Sequence, residues 1–255
     1  MPYKVSKTFA HPAPLSKLFF IFAHTMKRLL IISLVFLALA SLFFSPVQSP
    51  GKLAYPVAFL GLMALIDYKH IGSWMACGLV LSALGDWQGT QGNFFGQMAL
   101  FGLAHIAYIC YFARRIQRKP ALKAQWMTAL CVLIGLVALL NIVPQVPTAA
   151  LRTAVTVYCV LILTMLRMAL QQRDCWFTLG AALFVLSDFI LAWNRFVSPV
   201  AHATWLIMIP YYAAQWLLFF RASTLPISPR EPGARDTGTP PRRAASPDTE
   251  RPDSP

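Results

Sequence analysis

Acidic side chains are scarce in this chain. Only nine Asp and Glu occur among 255 residues, and only four, Asp67, Asp86, Asp174 and Asp188, precede residue 223. Charged residues of both signs make up 12%, about half of the roughly 25% typical of a soluble domain. With 57% apolar residues and a mean hydropathy of +0.57, too little polar surface remains to coat a water-soluble globule. That excludes a soluble enzyme, and so apolar a chain is not disordered throughout either. The motifs of soluble chemistry are missing as well: no Gly-rich phosphate loop, no GxGxxG, no HExxH and no GxSxG occurs. The five cysteines, Cys77, Cys110, Cys131, Cys159 and Cys175, form no CxxC and no Cys/His ligand spacing. They are expected to be small buried fillers, so neither a disulfide scaffold nor a metal site is expected.

What is present in excess is positive charge and apolar sequence. Lys and Arg number 22, giving a net charge of +13. Such a surplus suits either nucleic acid or basic membrane loops, and position decides between them. The charges sit between apolar stretches at residues 29–44, 53–66, 71–87, 93–112, 125–143, 151–170, 175–193 and 203–220. A nucleic-acid partner is therefore not expected. Six of these stretches approach the ~20 residues a spanning helix needs; 29–44 is somewhat short, and 53–66, with Pro56, is weak.

Charge asymmetry sets the count. With eight spans and a cytoplasmic N-terminus, the inner side collects Lys4, Lys7, Lys17, Lys27, Arg28, Lys69, Arg114, Arg115, Arg118, Lys119, Lys123, Arg173 and Arg221. The outer side keeps only Lys52, Arg152 and Arg195. Basic residues favour the cytoplasmic face, so the expected fold is an all-α bundle of about eight transmembrane helices with both ends inside. The expected organisation is a basic cytoplasmic segment (1–28), a transmembrane domain (29–222) and a disordered Pro/Ser/Arg-rich cytoplasmic tail (223–255). Met26-Lys27-Arg28 before an apolar run resembles the start of a signal peptide, but the orientation argument works best with that helix retained.

Asp67 and Asp174 fall at helix ends, whereas Asp86 and Asp188 fall inside spans. An ionisable group within a span is costly and by default marks function. At about 1.5 Å of rise per residue, Asp86 lies about 22 Å along the third span and Asp188 about 20 Å along the seventh. Equal depth is what a two-carboxylate site requires; two independent interhelical hydrogen bonds remain the simpler alternative. By spacing, Gly78, Ser82 and Gly85/Asp86 fall on one helical face, as do Gly180, Phe184 and Asp188, and the small residues allow close helix approach. His105 and Tyr108 in the fourth span, with Tyr211 and Gln215 in the eighth, complete a candidate polar pocket.

Four segments in order carry a resemblance. They are Leu81-Ser82-Ala83-Leu84-Gly85-Asp86; Phe101-Gly102-Leu103-Ala104-His105-Ile106-Ala107-Tyr108; Leu179 through Ser187-Asp188; and Tyr211-Tyr212-Ala213-Ala214-Gln215-Trp216. From about Lys52 to Phe220 the chain resembles the YhhN family, whose members are eight-span membrane proteins and whose characterised members are lysoplasmalogenases. Lys52 resembles the family's lysine at the second span, although Leu53 follows it where Pro is usual. Asn194-Arg195-Phe196 resembles a common ending of the seventh span.

The resemblance implies hydrolysis of the vinyl ether of a lyso-ether phospholipid to a fatty aldehyde and a glycerophospho-alcohol. That chemistry needs an acid to protonate the β-carbon, a group to stabilise the resulting cation and a base for water. Asp86 and Asp188 together can supply all three without cofactor or metal. Lys52, Ser82, His105, Tyr108, Ser187, Asn194, Arg195, Tyr211 and Gln215 are the expected supporting set, with Lys52 and Arg195 at the head-group phosphate. A bacterial plasma membrane is the expected location. Two other classes stay open: a proton-coupled transporter using the same aspartates, and a non-catalytic membrane scaffold. An intramembrane aspartyl protease fits less well, because Ala83-Leu84 precedes Gly85-Asp86 and the GxGD pattern is not met.

Overall fold

Helices α1 (Leu15–Phe44), α2 (Tyr55–Ile66), α3 (Tyr68–Ile71), α4 (Ser73–Thr90), α5 (Phe94–Ala113), α6 (Lys123–Asn141), α7 (Ala149–Gln171), α8 (Cys175–Phe196) and α9 (Ala203–Thr224) follow one another along the chain. A computed structural model describes residues 15–115 and 123–225; within them a 3-10 turn at Val143–Gln145 is the other regular element, and no strand occurs. The expected tail beyond residue 225 and the first 14 residues lie outside the described residues.

Local chemistry starts several of these helices. Asn93, Thr148 and Asp174 each accept hydrogen bonds from backbone N–H groups in the first turns of α5, α7 and α8, satisfying donors that an uncapped helix leaves unpaired. Pro56 opens α2, where its missing N–H costs nothing. Gly72, at φ +101°, makes the turn between α3 and α4 that an L side chain rarely adopts.

Six helices, counted among the described residues, are long and apolar enough to cross a membrane: α5, α7, α8, α9, the 23–44 part of α1, and a segment at 126–145 containing most of α6. Their apolar exteriors, such as Leu30, Ile31 and Leu34 on α1 and Leu130, Val132 and Leu133 on α6, are exposed. This is the pattern of an integral multi-pass membrane protein, in which lipid covers the outer faces.

The six differ from those the hydropathy of the chain selects. The first span is not short, because α1 begins at Leu15 and runs unbroken through Lys17, Lys27 and Arg28; Lys and Arg are good helix formers. Conversely α4 is 18 residues long but is not among the six, since Ser82, Asp86, Gln88 and Thr90 dilute its hydropathy. Cysteine placement also differs. Cys131 is buried, but Cys77 and Cys175 are exposed; an outward thiol facing lipid loses no hydrogen bond that it needs.

The most extensive packing joins α4 to α5 and α8 to α9, with α2 lying on α4 and α7 touching α5, α6 and α8. Glycines set both main seams. A Cβ on Gly78 would stand 2.3 Å from the Tyr108 ring, and one on Gly180 would stand 3.3 Å from the Ala214 carbonyl oxygen.

Basic residues collect at one end of the bundle. Arg28 pairs with Asp67 at 2.8 Å, and Arg221 pairs with Asp174. His70 Nε2 donates to the Ser223 carbonyl, and Gln172 donates to the Phe112 carbonyl. Arg114 stacks on Trp74. These contacts tie the 28 region of α1, the α2–α3 junction, the start of α4 and the ends of α5, α7 and α9 to one side. Lys52 and Arg195 lie toward the other, near the end of α1 and the start of α5.

Candidate functional site

Asp86 and Asp188 each stand 13 residues into their helices, or about 20 Å along the axis. Each also stands just past a packing seam. On α4, Gly78 and Gly85 face Tyr108 and Phe101 of α5, while Asp86 turns toward α9. On α8, Gly180 faces α9 and Ser187 donates to the Ile207 carbonyl of α9 at 2.9 Å, while Asp188 turns toward α7. A helix advances about 100° per residue, so seven positions return within ~20° of the starting line but eight drift by ~80°. The glycine seams hold the helix pairs, and the next residue is aimed elsewhere.

Asp86 is 1% exposed and closes a directed hydrogen-bond chain. Ser82 Oγ donates to the Tyr108 hydroxyl at 3.3 Å, and Tyr108 donates to Gln215 Oε1 at 2.9 Å. Gln215 Nε2 reaches the Tyr211 hydroxyl at 3.4 Å, and Tyr211 donates to Asp86 Oδ2 at 2.7 Å. Every link points its proton toward the carboxylate, and Ser82, Tyr108, Tyr211 and Gln215 are all buried. Pro210, inside α9 and next to Tyr211, has no N–H to give to the carbonyl four residues back.

Asp188 has a different neighbourhood. Its Oδ2 accepts a hydrogen bond from the Tyr158 hydroxyl of α7 and lies 4.0 Å from His105 Nε2. His105 is fully buried, and its Nδ1 donates to the Phe101 carbonyl at 2.7 Å. Between the two aspartates lie packed rings. Phe101, Phe184 and Tyr211 meet edge to face with centroids 5.5 to 6.0 Å apart, and His105 lies 4.8 Å from Phe184. The carboxyls thus belong to one aromatic and polar cluster, on opposite sides of it.

A cavity opens on the Asp188 side. Its internal volume is about 100 Å³, it opens to the outside, and it is lined from α5, α6, α7 and α8. Met98, Ile134, Leu139, Ile162, Val185 and Leu191 make its walls apolar, and Gln97, Tyr158 and Asp188 bring an amide, a hydroxyl and a carboxyl to it. Asp86 does not line it. Phe94 and Phe196 do, and the Arg195 guanidinium stacks on Phe94 at 3.9 Å.

The remaining expected residues are dispersed. Lys52 Nζ donates to the carbonyls of Ser45 and Val47, both at 3.2 Å, and lies 6.0 Å from the Phe43 ring. It satisfies backbone beyond the end of α1 and does not line the cavity. Asn194 accepts from the Val200 N–H at 2.8 Å and shapes the loop after α8. His105 and Tyr108, three residues apart, serve different carboxylates. Tyr158 and Gln97 were not among the expected residues. The signal for Tyr158 was a single tyrosine in the middle of an apolar span.

No solved structure matches the chain. Human lysoplasmalogenase TMEM86B is 34% identical over 155 residues, covering 58% of this chain and 63% of that relative. Bovine lysoplasmalogenase TMEM86A is 31% identical over 170 residues, covering 61% and 65% respectively. The match thus spans less than two thirds of the length of these curated relatives. A family model matches residues 52–222, the stretch that holds both aspartates, their hydrogen-bond chains and the cavity. The chain belongs to the YhhN family.

Proposed function

We propose that this protein hydrolyses the vinyl ether bond of lysoplasmalogens within the membrane, with Asp86 and Asp188 as its acid/base unit. One observation carries the reading: Asp188 is the carboxyl on the wall of a cavity that is otherwise largely apolar. A hydrocarbon chain fits such walls, and its vinyl ether carries almost no polarity except where an acid attacks it. The names of the relatives agree with this chemistry.

Asp188 then delivers its proton to the β-carbon, leaving an oxocarbenium ion. Attack by water gives a hemiacetal, which breaks to a fatty aldehyde and a glycerophospho-alcohol. Tyr158 holds the Asp188 carboxyl in place. Asp86, fixed by Tyr211 behind the rings, supplies negative charge in a low-dielectric interior where it acts strongly on a developing cation. Arg195, on Phe94 at the rim, meets the head-group phosphate.

For topology, α2 and α4 complete the six long helices to eight crossings, with both termini cytoplasmic. The basic residues gathered at one end support this, as does the cationic poverty of the other. A bacterial plasma membrane suits that arrangement. The test is aldehyde release by the purified protein in detergent, with lysoplasmalogen set beside its lysoacyl, diacyl and saturated-ether analogues. Aldehyde from the vinyl ether alone is expected; fatty-acid release from the lysoacyl ester instead would replace this reading with a lysophospholipase.

A further inference from the structure

The polar cluster leaves one fully buried side-chain atom without a hydrogen bond, and it faces Asp188. His105 Nδ1 must carry a proton, because the Phe101 carbonyl it contacts can only accept. In the neutral ring Nε2 is therefore an acceptor. It is fully buried, and no hydrogen-bond partner reaches it. Buried polar atoms in that state are uncommon and call for an explanation. The neighbours do not provide one. The Tyr158 hydroxyl, whose ring is 5.2 Å away, is committed to Asp188, and Phe184 on the other side is apolar.

The distance suggests what completes the site. His105 Nε2 and Asp188 Oδ2 are 4.0 Å apart. That is too long for a direct hydrogen bond, but it lets a single oxygen lie about 2.8 Å from both. A water molecule has two protons to give to two such acceptors. Phe101 lines the same cavity wall as Asp188 and Tyr158, which places His105, bonded to its carbonyl, directly behind that wall.

The geometry points to His105 as the residue that holds and deprotonates the attacking water, a role that rests on the vinyl ether reading above. The Asp188 proton bonds to the β-carbon through the alkene electron pair. Water oxygen bonds to the adjacent cationic carbon and passes one proton to His105 Nε2. The carbon–oxygen bond to glycerol then breaks, and the leaving oxygen takes that proton back from His105. The hemiacetal hydroxyl returns its proton to Asp188 as the aldehyde forms, so both residues end as they began.

Competition for the cation tests this. Turnover of lysoplasmalogen in water containing a fixed fraction of methanol yields aldehyde when water attacks and a mixed methyl acetal when methanol does. The parent protein should give methyl acetal well below the methanol-to-water mole ratio, because His105 and Asp188 hold water in place. His105→Gln and His105→Ala should turn over more slowly and raise the acetal fraction at least several-fold. A merely structural histidine would lower the rate without moving that fraction. An acetal fraction unchanged in an active variant overturns the role of His105 alone. Should neither variant fold, the parent decides: an acetal fraction equal to the mole ratio means that no water is held, and overturns it. A parent that releases neither product overturns the vinyl ether reading and this role with it.

Discussion

Each aspartate is placed by a neighbour that does the packing. Gly85 and Ser187 take the helix contacts, and Asp86 and Asp188 are thereby turned to Tyr211 and Tyr158. The two carboxyls receive one tyrosine hydroxyl each but differ in access, since the cavity reaches Asp188 and not Asp86. The outer cations divide in the same way. Arg195 is exposed above cavity-lining Phe94, whereas two of the three Lys52 donors are taken by backbone carbonyls. Arg195→Ala should therefore raise KM for a phosphate-bearing lyso lipid while leaving kcat nearly unchanged, the signature of lost uniform binding. Lys52→Ala should lower the melting temperature and leave KM alone. Steady-state kinetics and thermal unfolding of the two variants in the same detergent separate these outcomes; a KM increase confined to Lys52→Ala would reverse the assignment.

At the scale of elements, the α4–α5 and α8–α9 seams carry the site. Tyr108 lies across α4 only because Gly78 has no Cβ, and that position lets its hydroxyl reach both Ser82 and Gln215. Gly78→Ala should cost about 1–3 kcal/mol, the usual range for overpacking a filled interior. It should also weaken turnover by disturbing the chain that ends on Asp86. Equilibrium unfolding with activity measured alongside checks this, and an unchanged stability would mean that the seam can yield. The all-helical, multi-pass character and the two aspartates within helices were legible in the sequence, because apolar runs and the rare charges inside them are one-dimensional signals. The direction of each side chain was not. Gly180, Phe184 and Asp188 fall near one helical face by spacing, yet a drift of ~80° over eight residues carries Asp188 from α9 to α7. Tyr158 was hidden for a related reason: a lone tyrosine in an apolar span acquires meaning only when another helix brings a carboxylate to it. The length of α1 was hidden because its lysines and arginine interrupt hydropathy without interrupting the helix.

At the scale of the whole molecule, charge and chemistry are segregated. One end gathers Arg28, Asp67, His70, Arg114, Asp174 and Arg221 in mutual contacts, while the cavity and both aspartates lie toward the other. Cysteine-accessibility labelling in sealed vesicles should find residues 114–123 and the chain beyond Arg221 on the same, cytoplasmic, side. Labelling of the two from opposite sides would break the eight-crossing arrangement.

The central claim is that Asp188 performs proton chemistry on a vinyl ether, with Asp86 supplying the negative charge behind it. The most direct test is aldehyde release from lysoplasmalogen by the purified parent, Asp86→Asn, Asp188→Asn and the double variant, each shown to be folded. Asn keeps the shape of Asp but can neither cycle a proton, as Asp188 must, nor carry negative charge, as Asp86 must. Each single variant should lose nearly all turnover, and the double variant should be little worse than either, because residues that act as a unit are strongly non-additive. Substantial aldehyde release from a well-folded Asp188→Asn protein would contradict the account.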